Sequence, residues 1–318
     1  MDTVVTLTFN PVLDLNTAVE QVAAERKLRC EEPVREPGGG GLNVSRALQA
    51  LGGASTAWYL AGGPTGQVLA ELLDREGVAQ RRFAIDGWTR EGFHVSERSS
   101  ERQFRFGMPG PRIAAAEWQA VLAALEETEP PPALLAVSGS LPPGAPDDLL
   151  ARLARRAADS DCRLLLDCPA APTRRALEAG VYLIEPNLRE LCELVGDPLR
   201  DEEDQERAAL DLVERGRAQV VVVTLGAAGV LAASAGGILR VRAPTVPIAS
   251  KVGAGDSTLA GVTLGLARGW PLDRAVRLGV AAGAAAVMTP GTELCRRDDV
   301  ERLFARMEDE GGAHSAGR

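Results

Sequence analysis

Val252-Gly-Ala-Gly-Asp-Ser257 sets one carboxylate directly behind a glycine turn, where apolar spacing begins a helix near Gly255–Arg268. The backbone N–H groups of Gly253, Ala254 and Gly255 would form a bowl of donors suited to charge developing on a transferred phosphoryl group. Asp256 would then stand in the first helical turn, where the helix dipole favours its ionised form. A carboxylate beside such an anion hole is placed to orient a hydroxyl and take its proton as phosphate arrives. The plainer alternative is that Asp256 only caps the helix. The G-x-x-x-x-G-K-[ST] pattern is absent, which excludes a P-loop enzyme.

Three further stretches have chemical potential. Pro37-Gly-Gly-Gly-Gly-Leu-Asn43 precedes a helix spaced over Gly41–Leu51, so Gly38, Gly39, Gly40 and Gly41 let backbone approach a ligand while Asn43 offers an amide. A flexible turn would look the same, and the G-x-G-x-x-G dinucleotide pattern fails at position 43. In Pro186-Asn-Leu-Arg-Glu190 the amide and carboxylate are three apart at a helix start, which fits a water-rich Mg²⁺ site or an ordinary capping pair. Thr224-Leu-Gly-Ala-Ala-Gly229 follows the strongest strand, at the end of an open α/β sheet where ligands bind, although a structural turn has the same composition.

These stretches need a scaffold. Short apolar strands at Thr3–Thr8, Thr56–Leu60, Leu134–Val137, Arg163–Leu166, Val181–Ile184 and Gln219–Thr224 alternate with helical spacing, at Gln67–Arg75, Ala114–Glu127, Asp147–Ala158, Leu188–Val195 and Asp204–Arg215. Small-residue helices follow near Gly255–Arg268 and Leu272–Met288. That alternation predicts an α/β fold with a mainly parallel central sheet covered on both faces. Segments 15–36 and 81–108 break the rhythm, the second with a hairpin around Ser99-Ser100, and are expected to form a small projecting β-sheet. The chain is expected to be one domain over 1–310, with 311–318 a disordered tail.

Composition narrows the class. The 318 residues carry 44 acidic against 35 basic side chains, a net charge of −9, where a nucleic-acid binder would show a basic surplus. Lys27 and Lys251 are the only two lysines. Five scattered cysteines and two histidines support neither a zinc site nor a disulfide framework. The longest apolar run, Leu278–Met288, is too short for a membrane span, so a soluble cytoplasmic protein is expected.

The order of Asp14, P-G-G-G-G-x-N, Trp88-Thr-Arg90, S-G-S-L-P-P-G at 138–144, P-N-x-x-E, T-L-G-x-x-G and V-G-A-G-D resembles the ribokinase-like (PfkB) carbohydrate kinase family, from Thr6 to about Asp299. Lys27-Leu-Arg-Cys30 and Val280-Ala-Ala-Gly283 make it most similar to the branch that phosphorylates fructose 6-phosphate. The resemblance implies a ribokinase-like three-layer sandwich with a β-sheet lid, which pairs with a second copy to make a homodimer. It implies ATP-dependent phosphorylation of fructose 6-phosphate at its 1-hydroxyl, giving fructose 1,6-bisphosphate, with Asp256 as base and the Gly253–Gly255 amides as anion hole. Asp14, the glycines of 38–41 and Asn43 would hold sugar hydroxyls, and Arg90 the 6-phosphate, with Lys27, Arg29, Arg105 and Ser140 nearby. ATP would lie along Thr224, Gly226, Ala227 and Gly229, its adenine near Val280 and Gly283, with Mg²⁺ held through water by Asn187 and Glu190. Carbonyls at Ser250, Val252, Ala286, Thr289 and Gly291 would take a monovalent cation, K⁺.

Two positions depart from that branch. Lys tends to precede its P-N, where this chain has Glu185, and a carboxylate about 5 Å from a phosphate costs roughly 3 kcal/mol at an effective dielectric near 20. Lys251 replaces a neutral Thr ahead of the anion hole. The expectation is a relocated charge: Lys251 attracts the nucleotide, and Glu185 turns away or leans on Mg²⁺. Alternatives within the family are tagatose 6-phosphate kinase or 1-phosphofructokinase chemistry, and outside catalysis a regulator binding sugar phosphate or nucleotide.

Overall fold

The computed structural model describes residues 2–100 and 102–315. In chain order the elements are β1 (Val4–Thr8), β2 (Val12–Val19), β3 (Val34–Gly38), α1 (Gly40–Ala50), β4 (Thr56–Ala61), α2 (Gly63–Arg75), β5 (Gln80–Ala84), β6 (Arg90–Glu97) and β7 (Gln103–Gly107). There follow α3 (Ala115–Glu126), β8 (Leu134–Ser138), α4 (Leu149–Asp159), β9 (Arg163–Asp167), α5 (Ala170–Ala179), β10 (Val181–Ile184), α6 (Leu188–Val195) and α7 (Glu202–Glu214). The chain ends through β11 (Ala218–Thr224), β12 (Val230–Ser234), β13 (Gly237–Val241), α8 (Ala254–Ala267), α9 (Leu272–Ala286) and α10 (Arg297–Ser315).

The large sheet runs β13-β12-β11-β10-β9-β8-β1-β4-β5, parallel from β5 to β11 and antiparallel beyond. Alternate residues of each strand feed opposite faces. Val221 and Val223 share one buried cluster with Val121, Leu153 and Leu191 of α3, α4 and α6, whereas Val220 and Val222 belong to a second, with Val44, Leu259 and Val276 of α1, α8 and α9. A strand buried on both sides reads as the continuous apolar run seen in β11. From β1 the chain moves outward through β4 and β5, then returns to the other side of β1 as β8. That reversal opens a crevice at the carboxyl ends of β1 and β8, the place where such sheets bind ligands.

The small sheet runs β3-β2-β6-β7, with β2 and β6 parallel. Its extent corrects the expected segments. It begins at Val12 rather than 15, and β5, counted in the 81–108 projection, pairs instead with β4 at the edge of the large sheet. Arg81 and Arg82 of β5 are exposed and Phe83 is buried, a pattern that an edge strand shares with a lid strand. The tail expected from 311 is helical backbone as far as Ser315, and 316–318 lie outside the described residues. Among the described residues no helix is long and apolar enough to cross a membrane.

Candidate active site

The four glycines are required by close packing. Gly39, at φ 115°, caps α1. A Cβ on Gly41 would lie 2.7 Å from Thr8 Oγ1, one on Gly40 would collide with Ser138, and one on Gly38 would collide with the Asp14 carboxylate. The run therefore joins two polar clusters, and it is not a flexible turn.

The inner cluster surrounds Asp256 in the first turn of α8. Asn43 Nδ2 donates to Asp256 Oδ2 at 2.9 Å, and the Ser138 hydroxyl lies 3.4 Å from Asp256 Oδ1 and 2.8 Å from Asp167 Oδ2. Burial pushes the Asp256 carboxyl up to about 6, against the lowering pull of Asn43, Ser138 and the Arg46 charge. It stays half-buried and reachable. Gly253 caps α8 at φ 73°, where a Cβ would collide with Leu294, whereas a Cβ on Gly255 would meet nothing within 4 Å.

The outer cluster lies where the small sheet meets the large one. Asp14 Oδ1 sits 3.1 Å from His94 Nε2, and Gly92, its register partner on β6, leaves room for the carboxylate. Arg90 donates to the carbonyls of Asn10, Pro11 and Met108, so in this conformation its guanidinium is largely engaged by backbone instead of standing free for a phosphate. Burial lowers its pKa, partly offset by Asp14. Asn10 Nδ2 donates to Ser140 Oγ at 3.0 Å. Arg105 pairs in register with His94 and thus shares that face, exposed; Lys27 and Arg29 are exposed in the loop between β2 and β3. The small sheet is tied down by Asn16, which donates to Glu36 at 2.6 Å and Thr292 at 2.8 Å. Between it and Val252 and Gly291 remains a cavity of about 40 Å³, far below the roughly 300–1,000 Å³ of a ligand pocket. A larger groove of about 790 Å³ runs outside, from Ser140 to Glu178, beyond the carboxylates.

At the ends of β10 and β11 the capping reading of Asn187 and Glu190 is realised, because each side chain accepts from the other's backbone N–H at 3.0 Å. Among the described residues no three His, Cys, Asp or Glu side chains are arranged to hold a metal ion. Acid nevertheless concentrates there. Burial, then Asp256 and Glu190, raises Asp167 to about 7, and burial, then Asp167, Asp256 and Glu190, raises Glu185 well above the usual carboxylate range. Glu185 is 3% exposed and neither of its oxygens has a hydrogen-bond partner. It has not turned outward. Asn187 bridges to Thr224, which brings P-N-x-x-E beside the 224–229 turn, where Gly226 and Ala227 are exposed and Gly229 is buried.

Lys251 is exposed. The loop carrying it is stitched to the end of α9: Ser250 Oγ donates to Gly291 O at 2.7 Å, Val252 N donates to Ser250 Oγ, and Thr289 Oγ1 donates to Ala286 O. Val280 is buried in the core, and Gly283 abuts Thr258 and Ala254 because α9 packs closely on α8. Spacing alone did not point to Ser138, Asp167, His94 or Asn10.

A profile of the pfkB family carbohydrate kinases matches residues 8–299. The ATP-dependent 6-phosphofructokinase isozyme 2 of Mycobacterium tuberculosis is 45% identical over 301 residues, covering 95% of this chain and 88% of that protein. Its namesake in Escherichia coli is 41% identical over 94% of this chain and 97% of its own length. The E. coli phosphofructokinase-2 solved in complex with potassium superposes with TM-score 0.94 at 40% identity, over 97% of this chain and all of the other. The same enzyme solved with fructose-6-phosphate gives 0.92 at 39% over the same shares, and its tetrameric inhibited form 0.91 at 39%, again over 97% and 100%. Family match, identity and shared fold agree that the chain belongs to the pfkB family of carbohydrate kinases.

Proposed function

We propose that this ATP-dependent sugar-phosphate kinase transfers the γ-phosphoryl group of ATP to the 1-hydroxyl of fructose 6-phosphate. The observation that carries this reading is the meeting of Asp256, half-buried in the first turn of α8, with Asn43 and with the glycine turn in which Gly255 faces open space. Asp256 takes the hydroxyl proton, while the amides of Gly253, Ala254 and Gly255 face the charge on the transferred group. Asp14, the glycine run and Asn43 orient the sugar. Arg90 binds the 6-phosphate by exchanging backbone carbonyls for phosphate oxygens, and Arg105, Lys27, Arg29 and Ser140 stand as further contacts. The small sheet must lift to admit ligands, given the space beneath it; its return excludes water.

ATP lies along the 224–229 turn, with Lys251 at its phosphates. Glu190 and Asn187 would hold Mg²⁺ through water, beside Asp167 and Glu185, whose raised pKa values reflect burial and the mutual repulsion of these acids. Bound there, the ion would neutralise phosphate charge. The carbonyls at Ser250, Val252, Ala286, Thr289 and Gly291 would take K⁺, the two loops that carry them being held together by the hydrogen bond from Ser250 Oγ to Gly291 O. Val34, Phe106 and Met108 on the small sheet are exposed, which supports pairing with a second copy as a homodimer. The E. coli relative has a tetrameric inhibited form, and sedimentation of the purified protein measures which assembly this chain adopts.

The test is ADP release across a panel of hexose phosphates. Fructose 6-phosphate is expected to give the highest kcat/KM, and Asp256→Asn to lose about 10²–10⁴-fold in kcat while still folding. Preference for tagatose 6-phosphate or fructose 1-phosphate as the acceptor would redirect the substrate assignment. Binding without turnover in the wild type would replace the kinase by a regulator.

A further inference from the structure

A base that accepts a proton in each turnover has to lose it again, and the surroundings of Asp256 contain an acceptor for it. Ser138 ends β8 and Asp167 ends β9, and the two are register partners. The Ser138 hydroxyl stands between two carboxylates, 2.8 Å from Asp167 Oδ2 and 3.4 Å from Asp256 Oδ1. A hydroxyl has one hydrogen to donate. The shorter contact takes it, which leaves a lone pair of Ser138 Oγ facing an Asp256 oxygen with no hydrogen between them. That contact becomes a hydrogen bond once Asp256 Oδ1 is protonated. The other oxygen, Oδ2, is already occupied by the Asn43 amide, so an incoming proton belongs on Oδ1, the side facing Ser138.

We propose that Asp167, acting through the Ser138 hydroxyl, takes over the proton that Asp256 removes from the substrate. This rests on the reading of Asp256 as the base. The substrate O–H bond breaks and its hydrogen bonds to Asp256 Oδ1. That hydrogen then passes to Ser138 Oγ as the original Ser138 hydrogen passes to Asp167 Oδ2. Ser138 finishes with one hydrogen, Asp256 is ionised again, and Asp167 is neutral. Asp167 is half-buried whereas Ser138 is buried, so the proton is delivered to a group that water reaches.

The surroundings favour that direction. Burial raises both carboxyls, but Asn43, Ser138 and the Arg46 charge hold Asp256 down. Asp167 has only Ser138 to lower it and is pushed further up by the charges of Asp256 and Glu190, with Glu185 and the Cys168 thiol beside it. Gly40 keeps the path short, because a side chain there would collide with Ser138.

The experiment compares wild type, Ser138→Ala, Asp167→Asn, the double variant and Asp256→Asn, using fructose 6-phosphate and ATP with Mg²⁺ varied. Each relay variant is expected to lower kcat roughly ten- to hundredfold, a smaller loss than removing the base itself. KM for fructose 6-phosphate should hold, and the solvent deuterium isotope effect on kcat should rise. The double variant should be no slower than the slower single one, as for residues that act as a unit. Unchanged kcat in Asp167→Asn, multiplied losses in the double variant, or a raised Mg²⁺ requirement would each overturn the relay, the last by assigning Asp167 to the metal. An active Asp256→Asn would instead refute the base assignment, which separates the two failures.

Discussion

Asp256, Asp167 and Glu185 lie at the ends of strands or the start of a helix, and all three hold their protons more tightly than free carboxyls do, with burial the first cause in each. If Asp256 is the base, the consequence is kinetic. Only the ionised Asp256 can accept a proton, so kcat/KM should fall about tenfold per pH unit below a value near 6 and level off above it. A pH–rate profile with fructose 6-phosphate limiting checks this, and a plateau continuing down to pH 4.5 would remove Asp256 from the role. Glu185 has a thermodynamic consequence. Its folded pKa is raised, so its contribution to stability is full below the ordinary carboxylate value and is lost as pH rises through the folded one. Glu185→Gln has no charge to desolvate. Its melting temperature should exceed wild type at pH 8 by several degrees, about 2–4 °C for each kcal/mol recovered, with the gain gone by pH 4.

The elements divide the glycines into two classes that one pair of substitutions can separate. A Cβ on Gly261 would stand 2.7 Å from the Gly279 Cα, so Gly261→Ala must push α8 from α9 and is expected to cost about 1–3 kcal/mol in denaturant unfolding. Gly255→Ala meets open space and, within a helix, should be neutral or gain about 0.5–1 kcal/mol. Its methyl would cover the amide turn, so kcat/KM for ATP should fall while stability holds. Equal stability losses in both would mean that Gly255 is also there for packing. The two classes look alike in the sequence, where both are glycines in small-residue runs. The parallel sheet was legible because buried strands and amphipathic helices alternate with periods that the chain displays openly. β5 was misplaced because an edge strand with exposed Arg81 and Arg82 has the same half-exposed pattern as a lid. Asp256, Asn43 and the glycine turns were legible because each sits in a dense local motif. Asp167 was not, and Ser138 stood out only as the first residue of S-G-S-L-P-P-G, with no role, since both meet Asp256 only through the stacking of β8 and β9 across long stretches of chain. A positional signal did exist: Ser138, Asp167 and Thr224 all end strands, and Glu185 follows one immediately.

On the scale of the whole molecule, a net charge of −9 repels both anionic substrates, so approach depends on where the unpaired cations stand. Many arginines are already engaged, as Arg46 is with Glu76, Arg240 with Glu206 and Arg274 with Glu308. Lys251 is different. It is exposed just ahead of the α8 amide turn, in a chain that carries the buried acid Glu185 directly before P-N-x-x-E. If Lys251 supplies the missing attraction, Lys251→Thr should raise KM for ATP severalfold, the effect of about 1 kcal/mol lost from one exposed ion contact, and leave kcat nearly unchanged. An exposed interaction is also screened by salt, the Debye length shrinking from about 8 Å at 0.15 M to about 3 Å at 1 M. The difference between variant and wild type should therefore narrow as ionic strength rises, with K⁺ held constant and a bulky organic cation added so that the monovalent-cation loops are not titrated together with it. Equal KM values for ATP at low ionic strength would show that the positive charge at 251 does not compensate for the acid at 185, and that nucleotide binding relies on the turn at 224–229 and the divalent ion alone.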